Sequence, residues 1–144
     1  MAAGKHSLRR MKFVILDHRP SESDRTACTT ESSHEARTDE RHFDLMFEVE
    51  AKDSLHTIAA VELPLVSSQA VDITVLANHR NEYLNYEGPI SNNRGTVSRY
   101  AFGNWSGDFS EQAVLTFDTA SRHFAGESWT IRIDAANGEL LRVA

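Results

Sequence analysis

A length of 144 residues with 40% apolar and 25% charged content suits one globular domain that can bury a core of its own. The formal net charge of −6 argues against broad affinity for nucleic acid, which needs clustered Lys and Arg, yet it leaves room for a small site gripping one phosphate. The single cysteine, Cys28, excludes an intrachain disulfide and a multi-cysteine zinc site, and no apolar run approaches the ~18 residues of a membrane-spanning helix.

Met1 to Arg10 is basic, but only the short stretch Phe13 to Leu16 follows it. That is too short for the hydrophobic region of a secretory signal, so a cytoplasmic location with no membrane attachment is expected. Lys12 to Asp17 (KFVILD) predicts a first strand, and His18 ends it. Residues 19–41 contain almost no large apolar side chain and cannot offset their ordering entropy. They are expected to form a polar, mobile or disordered insertion within a single domain spanning 1–144. Phe43 to Glu50 then alternates strictly, with Phe43, Leu45, Phe47 and Val49 on one side. Further strand-like runs cover 55–62, 71–77, 96–102, 112–118, 129–134 and 139–143, with a turn-rich segment, EGPISNNRG, from Glu87 to Gly95. The total is about eight short strands with little helix, the pattern of an antiparallel β-sandwich or β-barrel.

The alternation bears on function. If the odd positions of the second strand fill the core, His42 and Asp44 project together from the opposite face, beside Met46. A histidine with a nearby carboxylate suits a divalent metal or an acid–base pair, and equally describes the polar face of an edge strand. His18 closes a strand, a common place for a side chain aimed at a site. His79 lies in the run NHRNEY, between a strand and the turn-rich segment, whereas His34 lies in the polar insertion. His6, His56 and His123 have no suggestive setting. Arginines far outnumber lysines, a bias compatible with bidentate phosphate recognition.

In chain order, FVILDH (Phe13–His18), HFDLMFE (His42–Glu48), NHRNEY (Asn78–Tyr83), YEG (Tyr86–Gly88), RGTVSRYAFGNW (Arg94–Trp105) and a closing hairpin with Gly before a Trp-led strand resemble the 3′-phosphoesterase domain of bacterial DNA ligase D. The resemblance spans residues 12 to 134. It implies an eight-stranded antiparallel β-barrel that uses a divalent ion, typically manganese, with zinc or cobalt as alternatives. The implied activity is DNA repair: trimming a 3′-phosphate or terminal ribonucleotide from nucleic-acid 3′ ends. It further implies that His18, His42 and Asp44 hold the metal, that His79 contacts the scissile phosphate, and that Tyr83 stands beside it.

Two departures from the family pattern matter. Met46 occupies the place of a family arginine, a loss of charge that Arg80 or Arg94 is expected to offset by binding the substrate phosphate. His18 is separated from His42 by the polar insertion, so His34 competes with it as the first metal ligand. Two functions follow: a metal-dependent phosphoesterase, or a weakly active or inactive metal-binding module that recognises a nucleic-acid end or a protein partner. Without ligase and polymerase regions, the domain is expected to meet such proteins in trans.

Overall fold

The computed structural model describes residues 11–20, 41–50, 53–90 and 94–143. Among them are nine strands: β1 (Met11–Arg19), β2 (His42–Glu48), β3 (Ser54–Ala60), β4 (Ala70–Arg80), β5 (Gly88–Pro89), β6 (Thr96–Asp108), β7 (Gln112–Phe117), β8 (Ser128–Asp134) and β9 (Asn137–Arg142). All pairings are antiparallel. The order β1-β2-β3-β4-β9-β8-β7-β6 closes on itself because β6 pairs back to β1, giving an eight-stranded barrel with β5 added outside it. Among the described residues, no helix is long and apolar enough to cross a membrane.

The barrel has two apolar clusters, and their positions explain why β1 reads as an unbroken apolar run. Phe13 and Ile15 point inward, with Leu45 and Phe47 of β2, to join Trp129, Phe117 and Ile131 in the interior. Val14 and Leu16 point outward and are buried too, in a second cluster with Met46, Leu55, Tyr83 and Val97. A strand covered on both faces needs apolar side chains at every position. Further along, Asp17 and Asp44 are almost wholly buried as well.

The chain path creates the outer cover. After β4 the chain does not turn back to pair with a neighbour. It forms a 3-10 turn over Asn81–Leu84, contributes β5, and enters β6 on the far side of β1. Tyr83 from this crossover packs against the outer faces of β1 and β2. The predicted strands therefore correspond to the eight barrel strands, with differences at their ends. β4 runs on through Arg80, where a strand over 71–77 was expected, and β5 lies in a segment read as turn alone. Most of the 19–41 insertion, including His34, lies outside the described residues.

Candidate metal centre

The site begins with strand register. His18 and His42 are direct partners across β1 and β2, with ring centroids 4.6 Å apart. Asp44, two residues along β2, shares the outer face with them. One ligand atom from each of His18, His42 and Asp44 lies within 4.8 Å of the others. Asp44 Oδ2 is 3.2 Å from His18 Nδ1. Asp44 Oδ1 is buried and 3.2 Å from His42 Nε2, an ion-pair distance, without a well-aligned hydrogen bond. Desolvation pushes the Asp44 carboxyl up, but hydrogen bonds and charge from His18 and His42 outweigh it, and its pKa falls from 3.8 to about 2. The carboxylate is therefore ionised at neutral pH.

The proton positions on His18 are constrained. Its Nε2 lies 2.8 Å from the Arg94 carbonyl oxygen, which can only accept, so Nε2 carries a hydrogen and donates it. In a protonated ring Nδ1–H also donates, to the Asp44 carboxylate 3.2 Å away; in a neutral ring Nδ1 is bare and its lone pair faces that carboxylate. Two lone pairs at that distance repel unless a cation, proton or metal, lies between or beside them. A histidine with one nitrogen donating to a backbone carbonyl and the other facing a carboxylate matches the usual environment of a metal ligand. With one buried Asp44 oxygen poorly aligned to its histidine partner and the three ligand atoms within 4.8 Å of one another, this donor set fits a divalent ion.

A cleft of about 50 Å³ opens beside these residues, lined by His18, Asp44, Met46, His79, Tyr83 and Arg94 together with Ile90 and Val97. The end of β4 and the crossover assemble it: His79 is the penultimate residue of β4, Tyr83 lies in the 3-10 turn, and Arg94 precedes β6. His79 sits opposite Leu55, with Nδ1 3.0 Å from the Ala77 carbonyl oxygen and 3.1 Å from Thr57 Oγ1. Tyr83 is nearly buried and meets the His79 ring edge-on, centroids 5.8 Å apart. Met46, 1% exposed, forms apolar wall between the cleft and the outer cluster.

Arg80 is not among the cleft residues. Its side chain is 74% exposed and pairs with Glu82 at 3.5 Å. The structure thus places Arg80, the last residue of β4, outside the cleft lining, with its charge in solvent beside the turn. Arg94 does line the cleft, and its backbone also orients His18. Sequence reasoning missed the contributions of Thr57, the Ala77 carbonyl, Ile90 and Val97. Nothing in a strand threonine or a backbone oxygen marks it beforehand.

A larger groove of about 350 Å³ is lined by Lys12, Arg99, Asn104 and Asp118 among others. It contains one carboxylate and no histidine, so it lacks the donors that make the smaller cleft chemically distinctive. In comparisons with known proteins, no family model matches the chain and no curated protein matches it.

Proposed function

We propose that this chain is a divalent-metal-dependent phosphoesterase acting on nucleic-acid 3′ ends, similar to the 3′-phosphoesterase domain of DNA ligase D. The observation that carries the reading is the convergence of His18, His42 and Asp44: Nε2 of His18 is committed to the Arg94 carbonyl, and its Nδ1 is turned to the Asp44 carboxylate, where a metal ion can replace the proton. His18 Nδ1, a nitrogen of His42 and the Asp44 carboxylate would hold the ion, with manganese favoured and zinc or cobalt as alternatives. A bound ion supplies neutralisation of phosphoryl charge and an acidified water.

The residues of the chain do the rest. The apolar wall of Met46, Ile90 and Val97 restricts the water around a terminal phosphate. His79, on the same cleft, donates a hydrogen bond or a proton to a phosphate or leaving oxygen. Tyr83 limits the swing of the His79 ring by packing edge-on to it. Arg94 adds positive charge at the cleft wall. A repair ligase or polymerase acting in trans would use the 3′-OH that results.

One observation favours a second reading, a module that binds metal and recognises an end without cleaving it. Met46 fills an apolar wall where the family pattern has an arginine, so one cation for the phosphate is missing. The test is manganese-dependent release of phosphate from a 3′-phosphorylated primer, with metal content measured in parallel. Wild type should release phosphate. His42→Ala and Asp44→Ala should lose both metal and activity, whereas His79→Ala should keep metal and lose activity by about 100-fold or more. Activity gained only by Met46→Arg would identify the recognition module. No activity in either protein with manganese, zinc or cobalt rejects the enzyme.

A further inference from the structure

His79 lies just beyond an irregularity in the β3–β4 pairing. From Leu55 to Thr57, β3 advances two residues, while β4 covers three, from His79 back to Leu76. The extra residue makes a β-bulge, a device that re-aims a side chain. Its effect here is to seat the His79 imidazole with Nδ1 between the Ala77 carbonyl oxygen at 3.0 Å and Thr57 Oγ1 at 3.1 Å. The carbonyl can only accept, so Nδ1 carries a hydrogen. Thr57 has one hydroxyl hydrogen, which it donates to the Leu55 carbonyl at 3.0 Å. Its oxygen therefore faces Nδ1–H as a second acceptor. Thr57 is completely buried, so no water can stand in for its hydroxyl.

We propose that Thr57 is a positioning residue for His79: its buried hydroxyl, with the Ala77 carbonyl, fixes the imidazole in the Nδ1–H form and reserves Nε2 for the phosphate cleft. In the neutral ring Nε2 then accepts, and in the charged ring it donates, while Nδ1–H stays bound in both. A ring turned over about Cβ–Cγ would place Cε1 where Nε2 stands, and the other neutral tautomer would present Nε2–H in place of the lone pair. The consequence for turnover rests on the phosphoesterase reading; the tautomer does not.

The test therefore has two arms. Long-range proton–nitrogen NMR of the metal-free protein, at a pH where the ring is neutral, should show His79 protonated at Nδ1 and bare at Nε2, with His79→Gln assigning the signals. Thr57→Val should mix the two tautomers, and Thr57→Ser should restore the single form. On a 3′-phosphorylated primer with manganese, Thr57→Val should lower kcat about tenfold with unchanged manganese affinity, and Thr57→Ser should recover it. Protonation at Nε2 in wild type overturns the proposal without need of any variant. So does a Thr57→Val protein with the wild-type tautomer and kcat. If wild type releases no phosphate, the phosphoesterase reading fails, and the tautomers of wild type, Thr57→Val and Thr57→Ser alone decide the role of Thr57.

Discussion

Two buried carboxylates at neighbouring strand ends are kept ionised by different partners. Asp44 on the outer face is held by His18 and His42. Asp17, one residue before His18 and so on the opposite side of β1, is held by arginines. Arg41 donates to both of its oxygens, at 2.9 Å to Oδ1 and 2.8 Å to Oδ2, and Arg19 adds a contact at 3.2 Å. Arg19 and Arg41 flank the polar insertion, so Asp17 ties its two ends together. Burial alone would raise the Asp17 carboxyl, but these hydrogen bonds bring it below its ordinary value of 3.8. A depressed folded pKa gives stability that is present above the unfolded value and lost as pH falls through the folded one. Because both arginines are at least half exposed, solvent screens the pairs and the gain is modest. Asp17→Asn should cost about 1–2 kcal/mol at neutral pH. The gap from wild type should narrow below about pH 4. Urea unfolding at neutral and acid pH measures both, and an equal gap at each would exclude the ion pairs as its source.

At the level of elements, the segment before β6 connects fold and site. Gly95 has φ +98°, and a Cβ there would lie 2.0 Å from the Arg19 carbonyl oxygen. Only glycine lets β6 start so close to the end of β1, where Val97 pairs with His18. Gly95→Ala should cost about 2–4 kcal/mol and weaken manganese binding, because the neighbouring Arg94 carbonyl orients His18. Gly126, with φ +79° and nothing within 4 Å of an added Cβ, is the control. Gly126→Ala should cost about 1 kcal/mol and leave the metal alone. Unfolding curves and manganese titrations separate the two.

The insertion between β1 and β2 gives a second element-scale prediction. His18 and His42 already pair across its base, so removing Ser21 to Arg37 leaves a short hairpin connection. Shortening the loop should change stability by only about 1 kcal/mol, and metal binding should persist. Loss of metal on deletion, measured by titration, would make His34 a ligand after all.

For the whole molecule, charge and topology pull in different directions. A net charge of −6 disfavours long stretches of nucleic-acid backbone. On the proposed reading, a cleft of about 50 Å³ would admit one terminal group, so recognition should be confined to the terminal phosphate. Affinity for a single-stranded 3′-phosphorylated oligonucleotide should then be nearly independent of length beyond a few nucleotides. Its logarithm should fall with the logarithm of salt at a slope of only about −1 to −2. A steep slope, or affinity rising with length, would reveal a backbone-binding surface and contradict an end-directed site. Fluorescence anisotropy at several salt concentrations decides this.

Residue pattern alone places the eight barrel strands, apart from their ends, and one face of the site. The alternation through Phe43, Leu45 and Phe47 sets an inward face, and His42 and Asp44 must then project together, because successive side chains on a strand point to opposite sides. Local pattern could not choose between sandwich and barrel, since that depends on β6 returning to pair with β1, a contact between residues far apart in the chain. It also could not extend β4 through the polar run ending in Arg80, where sheet pairing overrides weak strand preference. The register that sets His18 against His42, and the crossover that brings His79, Tyr83 and Arg94 over β1 and β2, belong to tertiary structure alone. Strand periodicity governs where a side chain points, whereas closing the barrel governs which distant side chains it meets.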